Sequence, residues 1–283
     1  MREFMFENKY TVTAILFSIV GLLILIRNYM DSKLKRGTYC NGLEVGVASS
    51  IGNREYQEDA MDIASFKKAT LAVLADGIGK KRAGQLSSRL VVKIFVDLFT
   101  TNPSIDNINY FFKRAFNITN REILKTLEDH QGGASVACGI IVDGLLHYAL
   151  VGNTMVAVFR NNELIPLSEG HTVNILAQKC FYQGKISRQD ALWALKEKRL
   201  FNYVGQDGFK DIEIYDVPVK LKSEDIVLLM SDGIHSYLPW NQLEEVLKKD
   251  LTCDEMATAI IKKLKETSIA EKDNASILLI RYK

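Results

Sequence analysis

Four aspartates border apolar runs in a way that could build a metal centre. Asp76 ends the run LAVLA and precedes Gly77, and Asp232 ends IVLLMS and precedes Gly233. Asp273 stands just before SILLIRY, and Asp59 lies in QEDA ahead of another short run. A single Asp-Gly at a strand end is ordinary turn chemistry, and that alternative stays open for each position taken alone. If the strand ends converge, each pair of carboxylates 4 Å apart repels by about 4 kcal/mol at an effective dielectric near 20. Such a cluster is tolerable only around cations, and oxygen ligands without His or Cys favour Mg2+ or Mn2+ over Zn2+. Two such ions, roughly 3.5–4 Å apart, acidify a bridging water and orient a phosphate for in-line attack.

The elements that must position these groups are legible as short apolar runs separated by Gly, Asn and Asp. Residues 43–49 and 70–76 predict buried strands ending in turn residues. Leu86, Leu90, Ile94 and Leu98 recur at helical spacing over residues 83–98, and a second helical stretch runs over 105–127 after Asn102-Pro103-Ser104. Strands over 134–142 and 145–152 form a hairpin across Asp143-Gly144, and 155–160 with 163–167 form another across Asn161-Asn162. Residues 171–206 are polar and helical in tendency; strands return over 212–217 and 226–231, helices fill 239–267, and 276–282 close the chain as a strand. Hairpin-linked strands with helices grouped between them predict an α+β layout of antiparallel sheets covered by helices.

Composition narrows the function classes. The chain has 283 residues, 47% of them hydrophobic, and a formal net charge of +2, which excludes a dedicated nucleic-acid binder. Cys40, Cys138, Cys180 and Cys253 form no CxxC pair, so neither a thiolate metal site nor a redox motif is indicated, and the thiols read as reduced. Residues 10–26, YTVTAILFSIVGLLILI, carry no charge. As a helix they span roughly 25 Å at about 1.5 Å per residue, and extension to residue 30 approaches the bilayer's hydrocarbon thickness. A buried core helix would show an amphipathic stripe, and a cleaved leader would have a basic start and a small-residue cleavage site; neither is present. Arg27, Lys33, Lys35 and Arg36 follow the run and favour a cytoplasmic position for what comes after. The expectation is an extracytoplasmic segment over 1–9, a transmembrane helix over 10–30, a tether over 31–42 and a cytoplasmic domain over 43–283. The protein would then sit in the cell membrane as a single-pass protein, in contact with the lipid bilayer through residues 10–30.

Eight blocks, in order, resemble the metal-dependent Ser/Thr protein phosphatases of type 2C, bacterial branch. They are REYQEDA from Arg54, LADGIGKKRAGQLSS from Leu74, GGASVACGII from Gly132 and YALVGNTMVAVFRNNEL from Tyr148. The others are LSEGHT from Leu167, GKISRQDAL with the later YVGQD, VLLMSDGIHSYL from Val227 and DNASILLI from Asp273. The resemblance runs over residues 43–283. It implies a four-layer α/β/β/α sandwich of two antiparallel sheets flanked by helices, with two Mn2+ or Mg2+ ions at one end and a flap over about 171–206.

Carried over position by position, the resemblance implies that Asp76 bridges both ions and the Gly77 carbonyl binds one. Asp232 and Asp273 would hold the other, Asp59 would supply the remaining carboxylate with Glu58 beside it, and Arg54 would take the substrate phosphate. The implied reaction is hydrolysis of phosphoserine and phosphothreonine on proteins by metal-activated water without a phosphoenzyme, opposing a membrane Ser/Thr kinase. Ile78 stands where some relatives carry a His acid, which leaves protonation of the leaving group to water. Asn153 replaces the family's third-metal Asp, Ser236 replaces an often acidic residue, Lys80 a Gly and Gly170 an Asp. These departures predict a weakened third-metal position and either lower activity, through Asn153 and Ser236, or a raised Mn2+ requirement. They also keep open a second function, a pseudophosphatase that binds phosphoproteins without hydrolysing them.

Overall fold

The structure is a computed structural model and describes residues 38–283 apart from 81, 102–104, 128–131, 198 and 210. Two antiparallel sheets lie at its centre. The first has the order β1 (Thr38–Cys40), β2 (Leu43–Ser50), β12 (Ala275–Arg281), β11 (Ile226–Met230), β7 (Met155–Arg160) and β8 (Glu163–Pro166). The second has the order β10 (Val219–Lys220), β6 (Leu145–Val151), β5 (Gly132–Val142), β4 (Ala69–Gly79) and β3 (Asp59–Phe66), with β9 (Glu213–Ile214) also pairing to β6.

Side-chain alternation along the central strands sorts the core into three layers. In β4, Leu71 and Val73 face helices α1 (Ala83–Thr101) and α2 (Ile108–Thr126), while Ala72 and Leu74 face the other sheet. In β11, Val227 and Leu229 face inward, while Leu228 and Met230 pack under α6 (Trp240–Leu247) and α7 (Cys253–Lys265). Strands buried on both faces read as continuous apolar runs, which is why residues 70–76 and 226–231 carry no polar alternation. A ring cluster fastens α1 to α2: Phe95 meets Phe116 edge-on at 5.1 Å between centroids, and Phe99 meets Phe111 at 5.8 Å. The helix–sheet–sheet–helix arrangement agrees with the expected layers.

Both expected hairpins form, and their turns have the backbone such tight connections need. Asp143 and Gly144 have φ of 49° and 75°, and Asn161 and Asn162 have 53° and 65°; positive φ at both central residues matches the right-handed twist of the flanking strands. Residues 171–206 contribute two short helices, α3 (Val173–Tyr182) and α4 (Arg188–Ala194). The strand expected over 212–217 shortens to β9; beyond it Asp216 accepts from Asn109 Nδ2 at 3.1 Å and the Tyr215 ring lies against Tyr148. Within the stretch expected as a tether, Thr38–Cys40 pairs instead as an edge strand with β2.

The membrane helix expected over residues 10–30, like the segment over 1–9, lies outside the described residues. Among the described residues no helix is long and apolar enough to cross a membrane. The longest, α1 and α2, have 19 residues each and carry charged outward faces, with Lys93 paired to Asp97 on α1 and Arg121 beside Glu122 on α2. The expectation of a single-pass protein of the cell membrane, held in lipid, is corrected accordingly.

Helix α7 begins with a reciprocal cap: Thr252 accepts from the Glu255 backbone N–H at 3.3 Å, and Glu255 accepts from the Thr252 backbone N–H at 3.0 Å. Thr252→Ala is expected to lower stability by about 1 kcal/mol without changing the site, as measured by urea denaturation. A loss below a few tenths of a kcal/mol would mean that tertiary packing alone fixes this end of the helix.

Candidate active site

The two sheets bring the four aspartates to one end of the sandwich. Asp59 opens β3 directly opposite Asp76 in β4, so backbone register alone places these two carboxylates side by side. From the other sheet, Asp232 begins the short helix α5 (Asp232–His235) just past β11, and Asp273 stands just before β12. Ser231 stitches the sheets together: its hydroxyl donates to Asp59 Oδ2 at 3.0 Å and accepts from the Ser276 backbone N–H at 2.9 Å.

This proximity is written in the ionisation of the carboxylates. Burial, reinforced by the charges of Asp232 and Asp273 against the hydroxyls of Ser276 and Ser231, pushes Asp59 up to about 7. Burial, with Asp59, Asp232 and Asp273 beside it, raises Asp76 well above the usual carboxylate range. Asp232 is raised by burial, with His235 opposing and Asp273 adding. A group of like charges that raise one another wants either protons or cations.

Among the described residues no three of His, Cys, Asp and Glu form a ready-made ligand cluster. The donors nevertheless fit hard cations. They are all oxygen, and Asp59 Oδ1 is buried without a hydrogen-bond partner. Gly77 is packed so closely that a Cβ would run into the carbonyl oxygen of Gly84 and stand 2.6 Å from that of Glu58. Its N–H donates to the Glu58 carbonyl at 3.1 Å, which pins the backbone beside Asp76.

Arg54 lies at the rim, 55% exposed, and donates from Nη2 to Asp273 Oδ2 at 2.7 Å. This hydrogen bond raises an already high pKa, so the guanidinium stays charged. Beside it opens a cavity of about 510 Å³ lined by Asn53, Arg54, Tyr237, Lys272 and Asp273, among others. Glu58 is raised by burial, with Arg54 opposing, and its carboxylate lies against Gly84.

Asn153 sits beside Asp232, donating from Nδ2 to Asp232 Oδ2 at 2.7 Å. Ser236 and Gly170 line a cleft of about 260 Å³ next to it. Lys80 is exposed and Ile78 partly buried.

One organising residue is not apparent from spacing. Asn274, 4% exposed, donates from Nδ2 to the carbonyls of Ile51 (2.8 Å) and Tyr56 (3.0 Å) and accepts from the Glu58 N–H at 2.7 Å. It ties the loop bearing Arg54 to the start of β12. The available signal is an amide between Asp273 and a largely apolar strand, a place where a side chain must satisfy neighbouring backbone.

Comparison with known proteins adds the decisive observation: a family model described as Protein phosphatase 2C matches residues 48–272. The chain belongs to the protein phosphatase 2C family. This phosphatase is 26% identical over 235 residues to the serine/threonine phosphatase stp of Listeria monocytogenes, covering 80% of this chain and 90% of the relative. It is 22% identical over 232 residues to the protein phosphatase PhpP of Streptococcus pneumoniae, covering 78% and 90%. In fold, the phosphatase resembles a serine/threonine phosphatase of S. agalactiae, with a TM-score of 0.75 at 20% identity and coverage of 85% and 100%. It also resembles one of Staphylococcus aureus, with a TM-score of 0.72 at 19% identity and coverage of 87% and 96%.

Proposed function

We propose that the phosphatase hydrolyses phosphoserine and phosphothreonine on proteins, with Asp59, Asp76, the Gly77 carbonyl, Asp232 and Asp273 holding two Mn2+ or Mg2+ ions. The observation that carries this is the meeting of mutually raised carboxylates from both sheets beside a charged, accessible guanidinium. When bound, such ions activate water and neutralise charge on a phosphoryl group.

The chain's own residues set the rest. Arg54 offers a planar fork to the phosphoryl oxygens, and Asp273 holds it at the rim. Ile78 brings no titratable side chain, so the leaving hydroxyl takes its proton from water. No covalent intermediate is needed: Cys138 and Cys253 are buried, and burial pushes their thiols up, far from a reactive thiolate. Asn153 presents an amide where a third cation would want a carboxylate, so two ions are proposed. A Ser/Thr kinase is the counterpart this activity requires. The alternative of a phosphoprotein-binding module without turnover draws no support from relatives that carry phosphatase names.

The test is release of phosphate from phosphothreonine and phosphoserine peptides with Mn2+, with and without EDTA. Activity that survives exhaustive chelation, or no activity with any divalent ion, would overturn the proposal. Arg54→Ala is expected to lower kcat/KM by about 10–100-fold, and Arg54→Lys to recover only part of it because an ammonium cannot grip two oxygens in one plane. Full activity in Arg54→Ala would remove this residue from phosphate recognition.

A further inference from the structure

We infer that Asn153 is a positioning residue for Asp232, its side-chain amide supplying from within the chain the donor that holds this carboxylate, with Ser135 holding the amide oxygen on the other side. Asn153 Nδ2 donates to Asp232 Oδ2 at 2.7 Å, and Asn153 Oδ1 accepts from Ser135 Oγ at 2.7 Å. Ser135 is fully buried in β5, so its hydroxyl has few other places to go. The carboxylate of Asp232 can only accept, so it fixes the amide nitrogen on its side, and Ser135, able to donate, takes the amide oxygen; a flip would lose the bond to Asp232.

The backbone around Asn153 is equally constrained. Its carbonyl accepts from His235 Nε2 at 2.8 Å. The preceding Gly152, at φ 98°, lies so close over Ser135 that a Cβ would collide with that side chain. Gly152 is also clipped by His171, whose backbone N–H donates to the Gly152 carbonyl at 2.7 Å and whose Nδ1 accepts the Gly152 N–H at 3.1 Å. The donor is thus aimed by contacts on both polar atoms of the Asn153 side chain and by a loop held through Gly152 and the Asn153 carbonyl.

The chemistry separates Asn from its isostere. An Asp at 153 would set two carboxylate oxygens at the distance now occupied by a hydrogen bond, with no proton between them. Such a pair must capture a proton or a cation, or move apart. The link to catalysis rests on the proposed metal-dependent function; the contact itself does not.

The experiment uses the full chain at pH 8, first stripped with EDTA and then titrated with Mn2+. Asn153→Asp is expected to lower the metal-free Tm by about 5–10 °C, and to regain more on Mn2+ addition than the wild type does. Asn153→Asp is also made in Asp232→Asn, a background that already lacks the repulsion of Asp232 with the other aspartates; there donor and acceptor are reversed, and the added Asp is expected to change the metal-free Tm by no more than about 2 °C. An equal loss in both backgrounds, or a metal-free Tm unmoved by Asn153→Asp in the wild type, overturns the inference. Should Asn153→Asp not fold without Mn2+ in the wild-type background, folding in EDTA beside Asp232→Asn at an unchanged Tm supports the inference, and loss of folding there overturns it. Mn2+ binding to wild type in the same titration reports separately on the proposed function: its absence would sink that function and leave the metal-free result standing.

Discussion

Asp76→Asn is expected to abolish turnover while making the metal-free protein more stable. Asp76 is raised by burial first and then by the charges of Asp59, Asp232 and Asp273. A neutral isostere removes repulsion with all three and keeps the shape. Like charges a few Å apart repel by up to about 4 kcal/mol per pair at an effective dielectric near 20, and relaxation and protonation remove much of that. A net gain of about 2 kcal/mol corresponds to roughly 4–8 °C in Tm for a domain of this size. The proposed centre needs that charge, so kcat/KM with a phosphopeptide and Mn2+ is expected to fall by about 1,000-fold or more. With Mn2+ present the order of stability reverses, since the wild type gains the binding free energy that the variant forgoes. Calorimetric melting with EDTA and with Mn2+, beside the phosphatase assay, reads all three. A variant less stable in EDTA than the wild type would make Asp76 a structural residue rather than one held against its neighbours.

How much of this was legible in the sequence depends on the range of the interaction. Local signals sufficed for the two hairpins, because Asp143-Gly144 and Asn161-Asn162 carry their turn geometry with them. They also located Asp76 and Asp232 at strand ends, since an apolar run broken by Asp-Gly is visible without a fold. Convergence was not visible. It depends on β2 pairing with β12 and on Asp59 falling opposite Asp76, partners set by tertiary pairing rather than by composition. Bringing in the family resemblance closed that gap, but it said nothing of the side chains that hold the loops. Asn274 looks like any turn amide until the carbonyls of Ile51 and Tyr56 are seen to need it. Ser135 looks like a polar interruption of a strand until Asn153 appears above it. Hydropathy over residues 10–26 spoke only of composition, and it could not decide a location for the protein.

The same carboxylates predict an inverted pH dependence. Asp59 is pushed up to about 7 by burial, with neighbouring Asp232 and Asp273 adding, whereas an unfolded Asp titrates near 4. Between those values the unfolded chain has released its proton and the folded one keeps it. Stability contributed by this group is therefore fully present below about pH 4 and lost as the pH rises through about 7. Asp76 and Asp232 are raised in the same direction and act in the same sense. Glu44 opposes them in acid: burial works to raise it, but the Cys253 N–H, Lys283 and Arg281 overcome that and hold it below the usual range. Its contribution is present at neutral pH and is lost as the pH falls below about 4. The metal-free protein is thus expected to be most stable near pH 4 and to lose a few kcal/mol by pH 8. With saturating Mn2+ the slope reverses over the same window, because protons and cations compete for the same oxygens. Urea denaturation at pH 5, 6, 7 and 8, in EDTA and in Mn2+, reads both slopes. If the metal-free slope is flat, neither burial nor neighbouring charge raises these aspartates, and if Mn2+ leaves the slope unchanged they are not where the cation binds.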